Sequence, residues 1–483
     1  MNRHIQKNVT IYIFSAEIAL ALCGCVSDAG ISPTSTMPDI DKLSVGQHIQ
    51  LATTDNSTTT NSVTWWKYWG DPQLDELLQV ALHEAPSVAI AAARFRHVQA
   101  LVDSSKADDR PGITGSAQLE GDRFPDHYLY PSSYAGSGGS TGSLMVNVNY
   151  HLDFWGKRRQ AQDAASAHLS ASQAEVADAT LLLETSVLES YIDLDLLYQT
   201  RDLGAQALEE RLQIMSLLTV RQKAGLSTDI DAIQVQESIA TTRAEIARID
   251  GAIVQRKNRI AALLGQDPGY AEGIRRPAMQ AIGNPAPLSA IPATLLGYRP
   301  DIAVRRAEVE EAAHKIGVAK AAFYPDVDLT GFAGLVSLDV GDLLRASSTS
   351  LGAGPVVTLP IFDGGQLRSA LKGRTADYDM AVANYRAAIA SAMQQVADGV
   401  AVLNAEQLRR TEAETSELHW RHVVALQQAR VHQGFSTDLD LLAARIQLLI
   451  TQRQVAEARE RVAMQQVVLI GALGGAWSPS SRS

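Results

Sequence analysis

The chain has 483 residues, 46% of them hydrophobic, 20% charged and 6% aromatic, and 53 acidic against 42 basic side chains give a formal charge of −11. A mean hydropathy of −0.05 argues against a bundle of membrane-spanning helices, and the acidic balance argues against a general nucleic-acid binder, which needs a basic face. Both cysteines, Cys23 and Cys25, lie near the amino terminus, so neither a disulfide scaffold nor a cysteine-ligated zinc site organises the body of the chain.

Arg3, His4 and Lys7 precede a mostly apolar run from Val9 to Leu22. Its length suits the apolar region of a signal peptide and is short for a transmembrane helix. It ends in Leu22-Cys23-Gly24-Cys25, which resembles the bacterial lipobox. On that reading residues 1–24 are a lipoprotein signal peptide, and Cys25 is the first mature residue and carries a covalent lipid. Val26 follows, rather than the Asp that retains lipoproteins at the inner membrane. Glu17 departs from the pattern, and an ordinary or uncleaved signal segment is the simpler alternative. Residues 25–64 are rich in Ser, Thr, Asp and Pro and are expected to form an extended tether.

The rest of the chain is duplicated. Arg221-Gln-Lys-Ala-Gly-Leu-Ser-Thr-Asp-Ile-Asp231 lies 209 residues before Arg430-Val-His-Gln-Gly-Phe-Ser-Thr-Asp-Leu-Asp440. Pro86-Ser-Val-Ala pairs with Pro300-Asp-Ile-Ala, and Leu152-Asp-Phe-Trp155 with Leu359-Pro-Ile-Phe362, at nearly the same offset. Such a period is too long for a solenoid unit and indicates two tandem copies, 65–270 and 290–475, with a tail at 476–483. In the first copy we expect helices over 87–108, 157–223 and 228–264, and strands over about 113–121 and 143–153. In the second we expect helices over 301–322, 365–432 and 437–473, and strands over about 327–335 and 351–361. Pro placement sets the helix boundaries, and Gly225 and Gly434 suit the residue after a helix end. Ser227 and Ser436 can cap the helices that follow. A 67-residue helix spans about 100 Å at 1.5 Å per residue, a length that indicates a coiled-coil-like assembly.

The strands indicate the environment. Leu144, Val146, Val148, Tyr150 and Leu152 fall on one face, while Asn147, Asn149, His151 and Asp153 fall on the other. About ten alternating residues match a transmembrane β-strand with a polar lumen face, and a soluble sheet resting on helices is the alternative. Four strands cannot close a membrane barrel, and open edges are not tolerated in lipid. If the strands span a membrane, several chains must share the barrel, and three would supply twelve strands.

Several motifs carry a family resemblance. Trp65-Trp66-Lys-Tyr-Trp-Gly-Asp71-Pro72-Gln-Leu74, Ala91-Ala-Ala-Arg94, Tyr150-His-Leu-Asp153-Phe-Trp155-Gly156, Arg299-Pro300-Asp301, Ala321-Ala-Phe-Tyr324-Pro325 and Leu359-Pro360-Ile-Phe362-Asp363-Gly-Gly365 occur in order. Together they resemble the outer-membrane factor family, the TolC-like exit ducts, in its NodT-like lipoprotein branch. The resemblance implies a mainly α fold with a small β part. It implies a homotrimeric duct with a long α-helical periplasmic barrel and a twelve-stranded β-barrel, four strands per chain. Such a chain sits in the outer membrane of a Gram-negative bacterium, held in outer-membrane lipid. Its partners are a periplasmic adaptor (membrane fusion) protein and an inner-membrane pump of the resistance-nodulation-division class. It conducts small toxic compounds or drugs passively. A type I protein secretion duct and a non-pore coiled-coil lipoprotein scaffold are the alternatives.

The sequence carries no constellation that looks catalytic, no phosphate loop and no metal-spaced His cluster, so neither an enzyme nor a cofactor beyond the lipid on Cys25 is expected. The Trp65-Trp66-Tyr68-Trp69 group is read as packing. The resemblance assigns Asp440 and Asp231 to a gate at the periplasmic constriction, where threefold repetition brings like charges to one axis. It assigns the tip turns Gly225-Leu226-Ser227 and Gly434-Phe435-Ser436 to adaptor docking. Where the family usually closes its tip with Arg and Tyr, this chain has Ser436 and Val431, so Arg430 or Arg445 is expected to substitute. For Asp229 and Asp438 the simpler role is favourable placement in a first helical turn.

Overall fold

The computed structural model describes residues 27–38, 65–127, 129, 131–280 and 299–475. The expected signal peptide at 1–24, Cys25 and the tail at 476–483 lie outside them, as does most of the expected tether. A 3-10 turn at Trp65–Trp69 leads to α1 (Pro72–Glu84) and α2 (Pro86–Ala107). Strands β1 (Gly112–Arg123) and β2 (Gly138–His151) follow, then α3 (Lys157–Lys223), α4 (Asp229–Leu263) and the short α5 (Pro268–Glu272). The second copy repeats the order as α6 (Pro300–Ala321), β3 (Asp326–Ser337), β4 (Thr349–Thr358), α7 (Gln366–His432) and α8 (Asp438–Ala472).

Helix starts follow the local chemistry. Asp71 caps α1 by accepting the Gln73 N–H at 2.9 Å, with Pro72 in the first turn where no N–H is needed. Several boundaries differ from the sequence expectation, four of them for a clear local reason. Strand β2 begins at Gly138, because the Gly138–Gly142 stretch expected to be loop pairs with Leu119–Arg123. Strand β4 ends at Thr358, short of the expected 361. The helices α4 and α8 start one residue late, because Thr228 and Thr437, not Ser227 and Ser436, take the N-cap positions.

The chain forms two compact units, joined through α2, α3, α6 and α7. Of the described residues, one comprises 27–38, 95–127, 129, 131–172 and 305–385, the other 65–94, 173–280, 299–304 and 386–475. The first holds an antiparallel sheet in the order β1-β2-β3-β4. Its register pairs Ile113 with Val148, Leu144 with Leu335, and Leu329 with Pro355. The pleat therefore gathers Ile113, Leu119, Leu144, Val146, Leu351 and Val357 on one face, and Ile113 and Leu351 are 70% and 75% exposed. The opposite face carries Thr114, Gln118, Asn147, Asn149, His151, Asp328 and Thr330, interrupted by Met145, Phe332, Val336 and Val356. Where β2 and β3 pair, a Cβ on Gly334 would run into the Leu144 carbonyl oxygen, so only glycine lets these backbones approach.

Part of the expected tether is also ordered here. Residues 27–38 lie along α7, with Ile31 buried among Ile316, Phe323 and Leu371. The single apolar side chain of this otherwise polar stretch is buried in an apolar slot, which docks the segment.

In the second unit, Trp66 and Trp69 pack with Leu74, Leu78, Leu188, Tyr191, Ile249, Ile260 and Val467. Trp66 and Trp69 of the aromatic group are thus core, Trp65 is half-buried against them and Tyr68 is exposed. Asp71 Oδ2 accepts from the Tyr191 hydroxyl at 2.8 Å and from the Ala278 N–H at 2.7 Å, joining α1, α3 and the segment after α5. Among the described residues, no helix is long and apolar enough to cross a membrane.

Candidate functional site: the paired helical tips

The two hairpins of the second unit end in near-identical turns. Helix α3 closes with Gly225 at φ +72°, its N–H donating to the Gln222 carbonyl, while the Leu226 N–H reaches the Arg221 carbonyl at 2.8 Å. Helix α7 closes the same way, with Gly434 at φ +76° and the Phe435 N–H reaching the Arg430 carbonyl at 2.8 Å. These are Schellman closures, and the left-handed residue favours glycine. They leave Leu226 and Phe435 at the apex, 68% and 72% exposed.

The next helix starts around a carboxylate in each copy. Asp231 Oδ2 accepts from the Thr228 N–H at 3.0 Å, the Thr228 hydroxyl at 2.8 Å and the Ser227 hydroxyl at 3.4 Å. Asp440 Oδ2 accepts from the Thr437 N–H at 3.0 Å, the Thr437 hydroxyl at 2.7 Å and the Ser436 hydroxyl at 3.0 Å. Both aspartates therefore occupy the third position of a capping box. The threonine N–H above all, then the hydroxyls, hold both carboxyls below the usual carboxylate range, and Arg221 and Arg430 add to this. Each stays anionic at neutral pH. Neither forms a direct ion pair among the described residues.

The two carboxylates are not equivalent. Asp231 lines an open recess of about 380 Å³ with Leu218, Arg221, Leu226, Leu439 and Ala443, so it faces the first turn of α8. Asp440 is exposed and does not line that recess. Of the two arginines expected to replace the usual tip contacts, Arg430 stays on its own turn, with Nη2 at 3.4 Å from the Phe435 carbonyl. Arg445 crosses from α8 to Glu210 of α3 at 3.6 Å. A second crossing, Arg453 of α8 to Glu245 of α4 at 3.8 Å, was not anticipated. Its only sequence signal is opposite charge on helices that are charged all round.

The sheet supplies the other functional feature. Among the described residues its edge strands β1 and β4 are each unpaired on one side, and the face bearing Ile113, Leu119, Leu144, Val146, Leu351 and Val357 is mostly apolar, with these six side chains exposed. Among the described residues no group of His, Cys, Asp or Glu could hold a metal ion.

The outer membrane efflux protein family model matches the chain twice, over residues 77–266 and 291–475. The chain belongs to the outer membrane efflux protein family. The fusaric acid resistance protein FusA of Burkholderia cepacia is 33% identical over 368 residues, covering 75% of this chain and 68% of its own length. The multidrug resistance outer membrane protein MdtP of Escherichia coli is 26% identical over 490 residues, covering 99% and 98%. The crystal structure of the outer membrane protein VceC from Vibrio cholerae superposes with a TM-score of 0.78 at 32% identity, covering 86% of this chain and 99% of VceC. The efflux protein is thus an outer-membrane channel component of an efflux system, with the TolC-like fold. Family members form trimeric channels in tripartite pumps.

Proposed function

We propose that this chain is one third of a homotrimeric exit duct that passively conducts small toxic compounds out of the periplasm. The observation that carries the reading is the sheet: four strands with an exposed apolar face and two open edges are an incomplete barrel, and lipid tolerates neither edge. Three copies supply twelve strands, a size in the range of membrane barrels. The polar face then lines the pore, while the apolar face meets acyl chains.

The twin tips act as the docking surface for a periplasmic adaptor, with Leu226 and Phe435 as exposed apolar anchors on tight turns. The inner-membrane partner is a pump of the resistance-nodulation-division class, which supplies the energy. Asp440 of three chains forms an anionic ring at the constriction, favouring cations. Asp231 faces α8 across the tip recess and contributes to the gate from the first hairpin. Arg445–Glu210 and Arg453–Glu245 bind the two hairpins of one chain and loosen as the tip opens. Cys25 carries the lipid that anchors the mature chain; the relative SilC of Salmonella typhimurium, 26% identical over 480 residues, is described as a probable outer membrane lipoprotein.

Native mass spectrometry of the detergent-extracted protein tests the stoichiometry. The reading expects three chains per particle. A monomer that keeps its helical content contradicts the shared barrel.

A further inference from the structure

We propose that Met145, Phe332 and Val336 form an apolar wall site on the polar face of the sheet, where small uncharged aromatic cargo is held in passing. The inference rests on the reading above that this face lines the pore. Apolar side chains left on a wetted face contribute no burial free energy. Yet Phe332 is 42% exposed there and Val336 47%, with Met145 half-buried. The register brings the three together. Asn147 lies opposite Phe332, Met145 opposite Gly334 and Ser143 opposite Val336. Phe332 and Val336 are thus the two diagonal neighbours of Met145, a spacing that long and aromatic side chains bridge. On its other side Phe332 lies opposite Gly352 of β4. A Cβ on Gly352 would come within 2.7 Å of the Phe332 ring, and one on Gly334 within 2.7 Å of the Met145 sulfur. Both large side chains therefore lie across a glycine of the neighbouring strand, which makes a low, continuous apolar surface on the wall.

The surroundings of this surface set the class of ligand. Ser143, Asn147, Asn149 and Thr330 border it on its own two strands, and none is charged. Among the described residues, the charged groups of this face lie towards its ends. Asp326, Asp328 and His151 stand where the strands meet the helices, and Glu120 and Asp122 stand at the opposite end. An apolar surface edged by a few uncharged hydrogen-bonding groups has the composition of a small-molecule site. A thioether beside an aromatic ring adapts to ligands of many shapes. An aromatic compound gains contact with Phe332 and Met145, while the exposed amides of Asn147 and Asn149 offer donors and acceptors to a hydroxyl or carbonyl. The surface is shallow, so the cargo leaves quickly, which conduction requires. Substitution on the lumen face of a barrel then tunes selectivity without disturbing the lipid face.

Asn147→Cys, opposite Phe332, reports on the face and on the site separately. The full chain carrying it is reconstituted in phospholipid vesicles and treated on both sides with a charged, membrane-impermeant methanethiosulfonate. Peptide mass mapping then follows modification at position 147. The duct reading predicts modification, because a reagent excluded from lipid reaches this face only through water. The wall site predicts that phenyl β-glucoside slows the modification, while methyl β-glucoside at the same concentration does not. Adding Phe332→Ser raises the phenyl β-glucoside concentration for half-protection by about three- to tenfold, the range one aromatic contact implies. Met145→Ser acts in the same direction, Phe332→Tyr keeps the protection, and Val356→Ser, on the same face away from the site, leaves it unchanged. No protection, equal protection by both glucosides, or protection that survives both Phe332→Ser and Met145→Ser overturns the wall site and leaves the duct standing. A position 147 that the reagent never reaches in the membrane-inserted protein overturns the pore reading, and the wall site with it.

Discussion

Glu184 is a buried acid with no basic partner among the described residues, and its replacement by Gln isolates one electrostatic cost. Its side chain lies under the Trp65–Trp69 turn, where the residue is 8% exposed, and it accepts from the Trp65 indole N–H at 2.9 Å. Desolvation raises its pKa from 4.5 to about 7, with the indole hydrogen bond opposing part of the rise. The unfolded carboxyl ionises near 4.5 and the folded one near 7. Below 4.5 both states are protonated and Glu184 contributes no pH dependence. Between these values the unfolded state gives up its proton first, so stability falls as pH rises, and the loss levels off above about 7. The full cost, at about 1.4 kcal/mol per pKa unit, is about 3 kcal/mol. Glu184→Gln keeps an acceptor for Trp65 and carries no charge. The variant should match the parent at pH 4.5 and exceed it by up to about 3 kcal/mol at pH 8. Tryptophan-detected unfolding of the solubilised protein across this range measures the difference. A variant that loses stability with pH in parallel with the parent refutes the reasoning.

Other variants probe the tips. Thr437→Ala removes the N-cap hydroxyl and one ligand of Asp440, and should cost about 1 kcal/mol, read as faster local hydrogen exchange at the start of α8. Gly434→Ala places a Cβ at φ +76° and should cost about 1 kcal/mol by the same readout, whereas replacing the open-space Gly373 inside α7 by Ala should not destabilise. Arg445→Ala and Arg453→Ala break partly exposed pairs worth well under 1 kcal/mol each in stability. Their expected effect is a higher open probability in planar bilayers, with an unchanged melting temperature.

Much of this architecture is legible in the sequence because two signals are long. The repeat of Gly-Leu/Phe-Ser-Thr-Asp at one offset gives two like hairpin tips, and the strict alternation of Leu144 to Leu152 gives a two-faced strand. Where signals are short or local, the sequence misleads. Gly138-Gly139-Ser-Thr-Gly142 has loop composition, yet in the sheet it is paired with β1, where small residues meet Phe124 and Leu343. Ser227 and Ser436 look like caps, but the threonine after each sits at the extended position that starts the helix. The Ile31 plug gives no periodic signal, since one apolar residue has no period. The interhairpin pairs of Arg445 and Arg453 depend on which faces of α3, α4 and α8 meet. Helices with apolar and charged residues all round do not announce that.

Single-channel recording of the purified protein and of Asp440→Ala in planar lipid bilayers bears most directly on the duct. The account predicts discrete conductance steps with a preference for cations, and a weaker preference when the three Asp440 carboxylates are removed. A correctly folded, membrane-inserted protein that passes no current contradicts it.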